Sequence, residues 1–316
     1  CVETKKPLTA EEVKNFAREL ETSVNRKNPA FFDNAMDRKE ILRRAEISDP
    51  RAGESMNLGK GIISVLSRDG SFKLIKQYEE NGTWHLLYRL YLNKIMALNY
   101  YDLELRRRGS EIKIADGYAY NVGQNFSEIL KDLNQQMNEV EDKAKENKDK
   151  WLDQIAVMRK LVMKGQFDEA YKTFERIPAD VRQIKLMQII HVMICSGINA
   201  ETHRAALQEY KKLYPNEPNI ALLQVSGYML LQDYENTLPA VEELDRILNK
   251  DPLLDYHRSI CYKMLNKPDQ QKNCLLRLTH NMPDFEDGIL ELIAMYLEEK
   301  NKTEADKWIK DFRIPG

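Results

Sequence analysis

Apolar residues recur at helical spacing at both ends of this chain and at strand spacing between them. Val13, Phe16, Leu20 and Val24 fall three and four apart, and Thr9 with Glu12 forms a capping box ahead of them, so a helix is expected from Thr9. Asn28-Pro29 reads as an N-cap followed by proline at the first helical position, opening a second helix through Phe32, Met36 and Leu42. A polar, glycine-containing stretch around residues 46–60 follows, with a short helix expected up to Ser67. From Ser71 the period changes to two. Phe72, Leu74 and Tyr78 alternate with polar residues, Asn81-Gly82 is a hairpin turn, and Trp84, Leu86, Tyr88, Leu90 and Leu92 share one face. Tyr101, Leu103 and Leu105 mark a third strand, and Ile112, Ile114, Tyr118 and Tyr120 mark a fourth after the Gly109-Ser110 turn. The expectation for residues 9–122 is an α+β domain, with helices packed on a curved four-stranded antiparallel sheet.

Helix returns at Ser127, but the stretch from Glu141 to Lys150 is almost wholly charged and has no apolar stripe. Residues 123–150 are therefore expected to link two domains, as a solvated helix or as a disordered segment. Beyond residue 150 the sequence repeats. Phe174, Leu207, Val241, Leu275 and Ile309 are separated by 33, 34, 34 and 34 residues. The same spacing joins Ile177, Tyr210, Leu244, Leu278 and Phe312, and again Leu161, Ile194, Tyr228, Tyr262 and Tyr296. Helix breakers fall between the columns at Gly165, Gly197, Gln232-Asp233, Asn266-Lys267-Pro268 and Lys300-Asn301. Three apolar columns with one period predict an all-α solenoid of about five helical hairpins over residues 151–316.

This half resembles the tetratricopeptide repeat family. Gly165, Phe167, Ala170 and Phe174 match its inter-helix turn and second helix, and Tyr228, Tyr262 and Tyr296 match its first-helix aromatic column. His203, Thr237 and Gln271 depart from its small-residue position, and Pro239 and Pro252 depart from its proline pattern. The resemblance implies a concave face lined by first helices. That face would carry Arg159, Lys185, Gln188, Asn219, Ser226, Tyr256, Lys263 and Asp287, beside apolar Ile155, Val192, Leu222, Met229, Ile260, Leu290 and Leu297. Such a groove suits a peptide or helix from a partner, or the chain's own N-terminal domain or linker. The N-terminal half resembles the ketosteroid-isomerase or SnoaL-like cone, in which a curved sheet wraps a helix and leaves a pocket. Asp116 alternates with Ile112, Ile114 and Tyr118, so it either points into that pocket as a desolvated base or ligand anchor, or is turned out by a bulge at Asp116-Gly117.

Composition narrows the function. Lys+Arg 48 nearly balances Asp+Glu 50, which removes the electrostatic case for nucleic acid. The chain begins at Cys1, followed by the polar stretch to Pro7, and so resembles a mature bacterial lipoprotein whose N-terminal thiol carries the lipid, with residues 1–8 as a tether. A boundary that happens to fall at a cysteine is the alternative. Cys195, Cys261 and Cys274 form no CxxC pair. Cys261 and Cys274 flank the turn at Lys267-Pro268 at equal heights, so either a disulfide or two packed free thiols fits. The five histidines show no metal-binding pairing, and Gly53 with Gly59-Lys60-Gly61 fails as a phosphate loop because Gly61 stands where a hydroxyl must bind magnesium. Arg106-Arg107-Arg108 is expected to be a solvated hairpin turn, with contact to an anion such as a lipid headgroup as the alternative. No catalytic residues, metal or cofactor are expected. The reading is a lipid-anchored, non-enzymatic protein- or peptide-binding scaffold of the bacterial cell envelope. The alternative is a small-molecule-binding or isomerase-like cone domain built around Asp116.

Overall fold

A computed structural model describes residues 7–53, 56–66, 70–141 and 148–311, without the side chains at 136–141, 148–152, 159 and 311. Cys1, Ser67, Phe312 and the middle of the expected linker lie outside the described residues. The chain divides into two compact units, Cys1–Asn219 and Ile220–Gly316. The division falls within the expected repeat region, well past residues 123–150.

The first unit opens with α1 (Ala10–Asn25), α2 (Ala30–Ala35), α3 (Arg38–Arg44) and α4 (Leu58–Val65). An antiparallel sheet follows, with strands β1 (Gly70–Glu80), β2 (Thr83–Leu92), β3 (Ala97–Arg108), β4 (Glu111–Ala119) and β5 (Gln124–Asn125) side by side in chain order. The unit ends with α5 (Phe126–Glu141), α6 (Lys148–Met163), α7 (Phe167–Glu175), the single turn α8 (Ala179–Arg182), α9 (Lys185–Ser196) and α10 (Ala200–Leu213).

Local chemistry sets these elements. The capping box forms in both directions: Glu12 N–H donates to Thr9 Oγ1 at 3.3 Å, and Thr9 N–H to Glu12 Oε2 at 2.9 Å. Asn81 and Gly82 both take positive φ, 51° and 78°, as a two-residue hairpin turn of this kind requires. The α1 stripe packs on the inner face of the sheet, where Val13, Leu20 and Val24 meet Phe72, Leu86, Tyr88, Leu103 and Ile114 in one core. Within it Tyr88 stacks on Phe72 at 4.6 Å and donates its hydroxyl to the Ala17 carbonyl at 2.8 Å.

Four expectations are corrected. The sheet has five strands, because the two-residue β5 pairs with Tyr118 and Ala119 and is too short to leave a period in the sequence. The second helix is two: Met36 turns extended to pair with Ile114, and Asp37 then caps α3 by accepting from Glu40 N–H at 3.2 Å. The start of the expected linker is packed, since Phe126 and Ser127 at the head of α5 are buried against β4. The inner face of the sheet, where the cone resemblance placed a pocket, holds side chains of α1, α2 and α4.

The second unit contains α11 (Ile220–Leu230), α12 (Tyr234–Leu248), α13 (Leu254–Met264), α14 (Pro268–Asn281), α15 (Glu286–Glu298) and α16 (Lys302–Asp311), each packed on the next. In the first unit α6 packs on α7, α7 on α9, and α9 on α10. Of the first column found in the sequence, Phe174, Leu207, Val241 and Leu275 are at most 4% exposed, and Ile309 on the last helix is 37% exposed; in the third, Leu161, Tyr228 and Tyr262 are half-buried.

One turn recurs between paired helices. Gly165, Gln232, Asn266 and Lys300 take left-handed φ of 72°, 57°, 54° and 57°. The next N–H then donates back to the column residue: Gln166 to Leu161, Asp233 to Tyr228, Lys267 to Tyr262 and Asn301 to Tyr296, at 2.8–2.9 Å. This is the Schellman closure, which satisfies carbonyls left open at a helix end. The pair α9–α10 closes differently. Gly197 stays right-handed, and a Cβ there would fall 2.1 Å from the Phe167 ring, so glycine is required by close approach.

Leu278 is fully buried in the core shared by α14, α15 and α16, whereas Leu276 on the same helix is 37% exposed. Leu278→Ala is expected to cost ~2–5 kcal/mol in urea unfolding, and Leu276→Ala under ~1 kcal/mol.

Candidate functional site

Asp116 sits beside a bulge. Glu104 pairs with Asp116 but Leu105 pairs with Ile114, so Ala115 is an extra residue and the phase changes after it. Asp116 therefore leaves the face of Ile114 and joins that of Glu104. The bulge lies one residue earlier than the sequence suggested, and it does not deliver the side chain to water: Asp116 is 3% exposed. Its carboxylate accepts from the Ser127 hydroxyl, from Ser127 N–H at 3.2 Å and from Gly117 N–H at 2.9 Å, with the Arg44 guanidinium at 3.7 Å. Burial pushes this carboxyl above its ordinary value, and those donors oppose the rise. The arrangement caps the first turn of α5, with the carboxylate fully engaged by the chain's own donors.

A charged seam runs on from there. Arg44 is bidentate to Glu104 at 2.6 Å and reaches Glu40 at 2.9 Å. The three arginines of the β3–β4 hairpin, expected to be solvated, are instead paired to helices: Arg106 with Glu40 at 2.9 Å, Arg107 with Glu12 at 2.7 Å, and Arg108 with Asp37 at 2.6 Å. The sequence spacing gave no sign of this, because each acid lies more than sixty residues from its arginine. Hydrogen bonds from Arg43 hold the Glu40 carboxyl at about 2, with Arg44 and Arg106 adding to the effect. Arg107 and the Thr9 cap hold Glu12 at about 2.

The positions implied by the repeat resemblance separate by unit; the Arg159 side chain lies outside the described residues. In Cys1–Asn219, Lys185 pairs with Glu217 at 2.6 Å and lies 5.0 Å from the Tyr214 ring. Gln188 is buried and donates to the Arg182 carbonyl at 2.8 Å. Asn219 is buried and accepts from the Tyr210 hydroxyl at 3.1 Å. Gly123, with φ of 64°, presses on it: a Cβ there would lie 2.5 Å from Asn219 Nδ2. Tyr118 of β4 donates to Glu217 at 3.0 Å. The chain's own β4–β5 segment thus covers the Asn219 end of this surface.

In Ile220–Gly316, Ser226 and Lys263 are exposed, and Lys263 pairs with Glu291 at 2.8 Å. Tyr256 meets Phe285 edge-on at 5.0 Å, and burial, then Asp287 and Glu291, pushes its hydroxyl up to about 12. Lys263 thus meets Glu291 on α15, the helix on which Leu290 and Leu297 are 49% and 53% exposed. Sequence reasoning missed a second cluster. Arg258, 6% exposed, reaches Glu242 at 2.7 Å, Asp245 at 2.7 Å and Asp255 at 3.1 Å, and Arg277 also reaches Asp255 at 2.7 Å. The spacing of Asp255 and Arg258 was the available signal. Cys195, Cys261 and Cys274 are free and buried, and burial pushes the Cys195 and Cys261 thiols up to about 12.

No family model matches the chain, and no curated protein matches it. Solved structures of MamA match part of it. One, of MSR-1, is 12% identical with a TM-score of 0.39, covering 51% of this chain and 92% of that one. Another, of AMB-1, is 13% identical with a TM-score of 0.37, covering 51% of this chain and 90% of that one.

The folded values of Glu12 and Glu40 lie below the ordinary unfolded carboxyl value of ~4.3. Their stabilisation is present above that pH and is lost as pH falls toward 2. The difference in melting temperature between the wild type and Glu12→Gln is therefore expected to be largest near pH 6 and to close by about pH 2, as read by circular dichroism melts.

Proposed function

We propose that this chain is a non-enzymatic scaffold that binds a protein or peptide partner, with its helical pairs acting as a tetratricopeptide-type solenoid. The supporting observation is the first-helix surface of Ile220–Gly316, where Leu290 and Leu297 stand about half exposed at 49% and 53% beside the Lys263–Glu291 pair. Apolar anchors framed by charge suit an amphipathic helix or an extended peptide with matching apolar side chains. Asp116 lends no comparable support to an isomerase-like reading, because three donors and a guanidinium already hold its carboxylate.

The proposal includes the setting suggested by the sequence, a lipid on Cys1 holding the chain to a membrane of the bacterial envelope. Mass spectrometry of the N-terminal peptide from the native membrane fraction tests it directly. A diacylglyceryl mass on Cys1 is the expected outcome, and an unmodified peptide sinks the anchor. For the partner, peptides enriched from a displayed random library on the full chain are expected to lose at least about tenfold in affinity against Leu290→Asp/Leu297→Asp, with the melting temperature within a few degrees of wild type. Equal affinity for both proteins would refute this surface as the partner site.

A further inference from the structure

A polar cleft of about 420 Å³ lies between the β5–α5 segment and the residues that flank α9 and α10. Its walls carry Gln124, Glu128 and Asp132 on one side and Lys185, Tyr214 and Glu217 on the other. The charges do not cancel. Lys185 is taken by Glu217 at 2.6 Å, and Glu217 also accepts from Tyr118 at 3.0 Å. Lys131, which also lines the cleft, is drawn to Glu46 at 2.6 Å. Asp132 and Glu128 receive only amide donors: Gln124 Nε2 reaches Asp132 Oδ2 at 2.7 Å, and Asn125 N–H reaches Glu128 Oε2 at 2.8 Å. Among the described residues, no ammonium or guanidinium pairs with either carboxylate.

One buried atom points to a ligand. Gln124 is 5% exposed, and its Oε1 has no hydrogen-bond partner. Reversing the amide would set two acceptors against each other at Asp132, so the orientation is fixed by the carboxylate. A buried acceptor without a donor is unfavourable, and a donor-rich cation entering here would satisfy it. The Tyr214 ring, already attractive to the Lys185 ammonium at 5.0 Å, adds an aromatic wall.

We propose that this cleft binds a cationic side chain, a guanidinium or ammonium group carried by a peptide. Gln124 Oε1, Asp132 and Glu128 would act as acceptors. This rests on the partner-binding reading and adds to it a residue class that the partner displays.

The test is calorimetric titration of the full chain with N-acetylarginine methylamide, its neutral isostere N-acetylcitrulline methylamide, and spermidine. The arginine probe is expected to bind at least about tenfold more tightly than the citrulline probe, and to weaken as salt rises from about 50 mM to about 500 mM. Asp132→Asn and Glu128→Gln are each expected to weaken it severalfold; Glu128→Gln leaves the Gln124–Asp132 bond in place and guards against loss of fold in the other variant. Equal binding of the two probes, no binding of either, or full affinity in both variants overturns the proposal. Spermidine binding more than about tenfold tighter than the arginine probe overturns the peptide source in favour of a free amine. The Leu290→Asp/Leu297→Asp variant is expected to bind the arginine probe as wild type does. Unchanged library-peptide affinity in that variant with an intact arginine site fails the partner surface alone, and loss of library peptides in it without arginine selectivity in the wild type fails the cleft alone.

Discussion

Four of the described helical pairs depend on a backbone hydrogen bond that recurs along the chain. The carbonyl of Leu161, Tyr228, Tyr262 or Tyr296 accepts the N–H five residues on, across a residue held in left-handed conformation. That bond ends the first helix at a fixed point and aims the second back along it. Behind these turns Val241, Leu244, Leu275 and Leu278 are all completely buried. Only the first of these turns uses glycine. Gln232, Asn266 and Lys300 adopt the same torsion with a side chain, so the bond and the packing behind it outweigh a local steric cost.

In the N-terminal part, charge does what the turn does for the repeats. The arginines of the β3–β4 hairpin reach across to acids at the N-terminal ends of α1 and α3, and two of those acids, Glu12 and Asp37, also accept from backbone N–H groups there. The helices are thereby fixed to the sheet at their N-termini, where their backbone donors are open. Asp116 repeats the device at α5, through a bulge that takes its carboxylate off the apolar face, where simple alternation would have put it.

How much of this was legible follows from the range of each interaction. The capping box at Thr9, the Asn81-Gly82 turn and the period of the repeat are encoded within a few residues or by regular recurrence, and all three could be read directly. The break at Met36 depends on pairing with Ile114, seventy-eight residues away, and the pairing of Arg107 with Glu12 spans ninety-five, so neither leaves a local trace. The two-residue β5 and the single extra residue at Ala115 are shorter than any period that could announce them. The proposed groove positions divided on the same ground. Their place on first helices came from the repeat, but the cover over Asn219 comes from Gly123, in a segment read as the start of a linker.

The recurring turn has a kinetic corollary. Each closure lies within a stretch of six residues, and the helices it joins are neighbours in the chain, so most contacts within Ile220–Gly316 span short sequence distances. Each of these closures joins groups a few residues apart, so it costs little chain entropy. The sheet has no such closure at its margin, since the Met36 bridge must wait until β4 is in place.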